Sequence, residues 1–362
     1  MLAVKFRSPI QLFAKRWPSL LMAAYGAGWC LTIPFIGNLY AAEVIAALFL
    51  PFLGWKRTLA QYTNLRLILA GYGLILFGLI VADLINVTPL RDLARGWANP
   101  VFAAISLIFV VCVLRRDVNS FLYFLFATFF FKLILGDASY TLRYSYVELS
   151  LAALQDPNLF KVRIIPFLTP AVVLVAFYVH RFGVVWSQLV YACIAVALLF
   201  LGARSASIAF LLAAAFLLSG QLGFRYHAKG VAIFSVIALF VAQILYVEYV
   251  DYSVNYDPAG RTAVQLSRID NPYNPLEFLA QARNDWSIAD VVVGDSPVFG
   301  HGSWARDPER KYFNILLDRS GDPVDMYSPP GEIPLLPTHS FILSSWIWGG
   351  LAGFLGAMFV FW

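Results

Sequence analysis

Nine apolar runs, each close to the length of a bilayer crossing, occupy most of this chain: residues 19–37, 67–87, 98–114, 119–135, 164–180, 184–202, 204–220, 230–250 and 340–361. A hydrocarbon core about 30 Å thick takes roughly 20 helical residues to cross. In lipid only a helix or a closed barrel satisfies its own backbone polar groups. Barrel strands are short and alternate in polarity, whereas a run such as Ile194 to Leu201 is continuously apolar, so the runs are expected to be helices. A shorter run, 40–54, brings the expected total to about ten spans. With 60% hydrophobic and 13% charged residues and a mean hydropathy of +0.72, the expected fold class is an all-α polytopic membrane protein.

Lys5, Arg7, Lys15 and Arg16 precede the first run as in a secretory signal. The run is long, lacks a clear small-residue cleavage site and is followed by further spans, so it reads as an uncleaved anchor. Cys30, Cys112 and Cys193 fall in separate apolar segments and read as buried packing residues, with neither a disulfide framework nor a thiolate metal site. If the N-terminus is cytoplasmic, the connections bearing Lys56, Arg57 and Arg66, then Arg115 and Arg116, then Arg181, then Arg225 and Lys229 all fall on the inner side. The outer side takes the connection 88–97, the segment 136–163, the turn 202–204 and one long polar stretch. Arg91 and Arg95 dissent there, offset in part by Asp92. The net charge of +5 is thus a topology signal and implies no nucleic-acid partner. Glu43, Asp83 and Lys132 lie near segment ends, where snorkelling or interfacial placement explains them.

The polar stretch runs from Asp251 to Thr338 and ends at His339, where the last apolar run begins. Between Asp251 and His339 there are thirteen Asp or Glu against seven Lys or Arg, in contrast to the basic connections. The expected organisation is a membrane helical bundle over 1–250, an outward-facing loop domain over 251–339 and a C-terminal membrane helix over 340–362. Arg204, at the outer end of its run, either snorkels to headgroups or offers a planar donor fork to a phosphate or diphosphate. His339 either starts a helix beside Ser340 or acts as a base toward a sugar hydroxyl, with Pro334 and Pro337 stiffening the chain before it. Within the loop, Ser287 to Val293 is expected to be a short helix ended by Gly294-Asp295-Ser296-Pro297. Gly300-His301-Gly302 reads as a plain turn, since a phosphate cradle would need a strand and helix around it. Arg283 and Arg261 are either anion ligands or solvated residues. Arg306, Arg310 and Lys311, mixed with Asp307 and Glu309, read as a solvated face.

Three features, taken in order, resemble the O-antigen ligase and O-antigen polymerase superfamily of bacterial envelope polysaccharide synthesis. They are Arg204-Ser205-Ala206-Ser207 opening a span, Trp286 followed by Asp295-Ser296-Pro297-Val298-Phe299-Gly300-His301-Gly302, and His339-Ser340-Phe341-Ile342-Leu343 leading to Gly349-Gly350-Leu351-Ala352-Gly353. The resemblance covers roughly residues 200–362. It implies a GT-C-like architecture in the bacterial inner membrane, with the loop in the periplasm. The implied activity is transfer of a glycan from undecaprenyl diphosphate to an acceptor glycan or to lipid A core, with no metal and no other cofactor. In that scheme His339 positions or deprotonates the acceptor hydroxyl and Arg204 holds the departing diphosphate, assisted by Arg283 or Arg261. The family places its loop arginine about four positions before the tryptophan, whereas Arg283 is three before Trp286, which leaves Arg261 a rival. Family members commonly continue through further spans, so the resemblance also implies an incomplete chain.

Polymerase and ligase differ in acceptor only, and a protein-glycosylating ligase is a third form of the same chemistry. A lipid-linked glycan transporter is the alternative of another class. It predicts repeated halves and a polar pathway across the helices, neither of which the sequence displays. An assembly protein whose loop binds partners is the remaining reading.

Overall fold

The computed structural model describes residues 9–34, 38–135, 165–200, 204–221, 228–256, 263, 266–267, 269, 271–275, 277, 284–320, 333–336 and 340–361. Its helices are α1 Pro9–Gly28, α2 Ala41–Phe49, α3 Trp55–Gln61, α4 Thr63–Ile85, α5 Leu90–Leu114, α6 Ser120–Leu135, α7 Ile165–His180, α8 Val184–Phe200, α9 Arg204–Gln221, α10 Ala228–Tyr256, α11 Asn284–Asp295, α12 Lys311–Ser320 and α13 Phe341–Phe361. A single short two-stranded sheet, β1 Thr32–Pro34 with β2 Asn38–Tyr40, accompanies them among the described residues. The all-α class therefore holds. Among the described residues α4, α5 and α13 are long and apolar enough to cross a membrane, and several shorter helices are apolar.

Two boundaries differ from the sequence expectation. The first apolar run, 19–37, is not one helix: α1 begins at Pro9, takes in Lys15 and Arg16, and ends at Gly28. The chain is then extended through β1, where Pro34 brings no backbone N–H and biases the residue before it away from helical geometry. The connection expected at 88–97 shrinks to Asn86–Pro89, because α5 already begins at Leu90. Pro89 stands at its N-cap and Asp92 in its first turn complements the helix dipole. The run 40–54 is α2 followed by a 3-10 turn, Leu50–Leu53, which Gly54 ends at φ 69°.

The chain forms two compact units. The first comprises Met1–Thr32, Tyr40–Ala42 and Asp117–Phe278. Its helices are tied by small residues and hydroxyls, the means by which apolar helices associate where burial alone gives little drive. Gly26 of α1 lies against α6, where an added Cβ would come 2.5 Å from the Phe124 carbonyl oxygen. Ser187 of α8 donates to the Ala176 carbonyl of α7 at 2.7 Å, and Ser207 of α9 to the Ala195 carbonyl of α8 at 2.6 Å. Val172, Ala195, Leu198 and Phe210 close the core between these helices. The first part of the polar stretch folds back on α10: Leu266 and Ile269 pack on Val250, and Tyr273 donates to Asp251 at 2.8 Å.

The second unit comprises Ile33–Leu39, Glu43–Arg116 and Leu279–Trp362. Its centre is a glycine seam between α4 and α13. A Cβ on Gly78 would stand 2.4 Å from the Gly349 carbonyl oxygen, and one on Gly71 would stand 2.7 Å from that of Gly356. The sequence element Gly349-x-x-x-Gly353 is the small-residue spacing that permits this backbone approach. α11 and α12 pack on the first half of α13 through Ile288, Val292, Leu316, Leu336 and Ile347. α11 contains the short helix expected at 287–293. Of the three cysteines, Cys30 and Cys112 are buried as expected, but Cys193 is exposed, since an apolar helix has an outward face as well as an inward one.

Candidate functional site

A polar site forms in the second unit where the end of α4, the start of α5 and the loop 297–307 meet. Asp83, one turn from the end of α4, is only 2% exposed. Three donors converge on its carboxylate: the Ser303 N–H on Oδ1 at 2.6 Å, and the Ser303 hydroxyl and Trp97 indole on Oδ2, each at 2.8 Å. The snorkelling explanation for Asp83 is thereby corrected. A carboxylate survives burial here because donors from α5 and the loop take the place of water. Asn86 adds a further tie, its amide donating to the Gly300 carbonyl at 3.2 Å and to that of Ala82 at 2.8 Å.

The opposite edge of the loop is held by a break in α13. Gly350 adopts φ 60° and ψ −155°, a region open essentially to glycine alone, and the helical ladder opens there. The loop fills the gap. His301 N–H donates to the Ile347 carbonyl at 2.7 Å, Gly302 N–H to that of Trp348 at 3.1 Å, and Leu351 N–H to that of Val298 at 3.1 Å. Backbone groups released in an apolar setting need partners, and the loop supplies them. The turn expected at Gly300-His301-Gly302 is present, with φ 74° at Gly300 and 87° at Gly302.

Beyond the turn, Leu336 N–H donates to the Ala305 carbonyl at 2.9 Å and Asp307 N–H to that of Pro334 at 2.8 Å. The segment entering residues 337–339 is thus paired with the loop. The expected solvated face over 306–311 holds for Arg306, Glu309 and Lys311, which are exposed, and is corrected at Asp307. Asp307 is 3% exposed and caps α12, accepting from the N–H groups of Lys311 at 2.9 Å and Phe313 at 2.8 Å. Lys311 pairs with Asp295, to which Tyr312 also donates its hydroxyl. The bonds from Lys311 and then Tyr312 hold the Asp295 carboxyl below its ordinary range. Burial, and then the bond to Asp295, push the Tyr312 phenol well above its own.

Between the loop and the start of α5 lies an open cleft of about 290 Å³, lined by Asn86, Thr88, Asp92, His301, Trp304 and Arg306 among others. Asp92 is 6% exposed, with Arg95 at 3.8 Å and Arg306 at 3.7 Å. The Arg95 guanidinium lies 4.1 Å from the Trp304 ring centre, and Trp304 stacks on Trp348 at 5.5 Å. Trp304 is left-handed at φ 53°, unusual for a bulky residue. His301 Nε2 lies 2.8 Å from the Val292 carbonyl, which can only accept, so Nε2 is the donor in this bond. A second cleft of about 360 Å³ sits at the other end of α5, lined by Arg57, Thr58, Arg115 and Arg116.

The residues singled out from sequence fall differently. Arg261, Arg283 and His339 lie outside the described residues. Arg204 opens α9, as its position after Gly202-Ala203 suggested, but its side chain lies outside them as well. Asp83, Asp92, Ser303 and Trp304 were not singled out for the site. Their one sequence signal is an acidic residue set among apolar helical ones, Asp83, which is costly unless partnered. No protein-family model, curated protein or solved structure matches the chain. Its own residues carry the argument that follows.

Proposed function

We propose that the protein is a multi-span inner-membrane glycosyltransferase of the O-antigen ligase and polymerase kind. It moves a glycan from undecaprenyl diphosphate to an acceptor sugar hydroxyl on the periplasmic face. One observation carries the reading: two of the three sequence features behind the resemblance interlock, with residues 298–302 hydrogen-bonded into the break of α13 at Gly350. His339 stands two residues before that helix. This supports a loop and a His-bearing segment that work as one site, as glycan transfer at a membrane surface requires.

In the proposed step the acceptor oxygen bonds to the anomeric carbon as the bond from that carbon to the phosphate oxygen breaks. The acceptor proton passes to the His339 imidazole. The electron pair leaves with the carrier diphosphate, whose charge Arg204 stabilises together with Arg261 or Arg283. The acceptor is a further repeat unit in a polymerase and a lipid A core sugar in a ligase. Membranes containing His339→Ala or Arg204→Ala, assayed for transfer from a lipid-linked glycan, are expected to lose at least about 100-fold in rate, in the range typical of acid–base and leaving-group stabilising residues. Full activity in both variants overturns the mechanism. In cells lacking the protein, single repeat units on lipid A core identify a polymerase, and polymer retained on the carrier identifies a ligase.

A further inference from the structure

We propose that the cleft at the far end of α5, lined by Arg57, Arg115 and Arg116, binds a phosphate group, carried by an anionic lipid headgroup or free in solution. α5 is 25 residues long, so this cleft lies about 37 Å along the helix from the one at Asp92 and takes no part in the glycan transfer proposed above.

Three arginines from two parts of the chain share this lining, and no carboxylate is among its residues. Neither Arg57 nor Arg115 is paired with a carboxylate among the described residues. Like charges gathered without a counter-charge repel one another, and an anion bound in the cleft relieves that repulsion. Two of the forks are already held in place. The Thr58 hydroxyl, only 1% exposed, accepts from Arg115 at 3.3 Å, and the Leu53 carbonyl accepts from Arg116 at 3.1 Å. The Cys112 thiol donates to the same hydroxyl at 3.3 Å. A guanidinium carries five N–H donors, so the one bond to Thr58 leaves Arg115 most of its capacity. Fixing the fork beforehand lowers the ordering cost of binding. Arg115 and Arg116 follow the C-terminus of α5 and complement its dipole there, but Arg57, on α3, has no share in that explanation.

A phosphate meets this arrangement better than a carboxylate does. Its oxygens are set tetrahedrally and accept from forks supplied by both α3 and the end of α5, whereas the two coplanar oxygens of a carboxylate suit a single fork. A volume of about 360 Å³ is at the small end of ligand sites and suits one headgroup. The chain leading into the lining is apolar and turned outward, with Leu48 63% and Phe52 79% exposed. Acyl chains cover such a surface and inorganic phosphate does not, so a lipid is the expected carrier. The charge of the connections assigns this end of α5 to the inner side, where anionic headgroups attract basic segments.

The test uses the purified full chain, stripped of lipid in a neutral detergent. Native mass spectrometry follows binding of phosphatidylglycerol, with phosphatidylcholine as the comparison without net charge, and phosphorus NMR follows inorganic phosphate. One phosphatidylglycerol is expected to bind in preference to phosphatidylcholine. Its affinity is expected to fall about tenfold in Arg57→Gln and in Arg115→Gln, the loss of one charge-assisted hydrogen bond. Arg66→Gln removes an inner-side charge outside the lining and is expected to bind as the parent does. Thr58 is a positioning residue: Thr58→Val takes the acceptor from Arg115 and is expected to weaken binding several-fold, with Thr58→Ser restoring it. Should Thr58→Val fail to fold, the variants of Arg57 and Arg115, both exposed, carry the comparison. Phosphatidylglycerol retained against millimolar inorganic phosphate identifies the lipid as the source, and displacement by inorganic phosphate identifies the free ion. Three results overturn the proposal: no preference for phosphatidylglycerol together with no phosphate binding, affinity unchanged in both Arg57→Gln and Arg115→Gln, or an equal loss in Arg66→Gln.

Discussion

At the scale of residues, the fate of the acidic side chains separates structure from expectation. Asp83, Asp92 and Asp307 are all nearly fully buried, yet only Asp83, set among apolar helical residues, carries any sign of this in the sequence. Burial of Asp83 is tolerated because Ser303 and Trp97 donate to both its oxygens. Asp83→Ala leaves those donors without an acceptor. At about 1–3 kcal/mol for each buried donor so stranded, the loss is expected to reach about 3 kcal/mol. Asp83→Asn keeps one accepting oxygen and turns an amide toward another donor, so its cost should fall between alanine and the parent. Thermal melts of the three proteins in one detergent give the order. An unchanged melt for Asp83→Ala would show that the loop is not held through this carboxylate. Ser303 was not legible as a partner of Asp83 because it lies 220 residues along the chain, and no local pattern pairs the two.

At the scale of elements, helices were legible and their breaks were not. Run length and continuity located α4, α6, α7, α8 and α13 to within a few residues, because a helix satisfies its own backbone over neighbouring turns. The interruption at Gly350 was hidden inside a run that is apolar throughout, and only the docked loop reveals its use. An added methyl at Gly350 would meet the Val298 carbonyl oxygen at 2.1 Å and force a side chain into glycine-only backbone space. Gly350→Ala is therefore expected to destabilise the protein by roughly 2–4 kcal/mol. Gly73, in the same seam-forming helix α4, has open space around the corresponding position. Gly73→Ala should be neutral or stabilising by up to about 1 kcal/mol through helix propensity. Equal melting temperatures for the two variants would mean that the break does not anchor the loop.

At the scale of the whole molecule, the sidedness inferred from charge makes a direct prediction. In a variant without its native cysteines, Glu309→Cys should react with a membrane-impermeant maleimide in intact spheroplasts, and Arg57→Cys only after permeabilisation. The reverse pattern would invert the topology and remove the basis for a periplasmic site. By itself the sequence determined an all-α chain of apolar helices, three of them membrane-length among the described residues, the positions of most of those helices, the short helix expected at 287–293 and the turn at 300–302. These are set by contiguous residues, through hydropathy and hydrogen bonds spanning a few positions. Only the tertiary structure decided which acids are buried, that the loop completes a broken α13, and that Asp92, His301, Trp304 and Arg306 share one cleft. Each of these depends on donors and acceptors brought together from chain positions far apart, and a polar group in an apolar interior is stable only where such partners arrive.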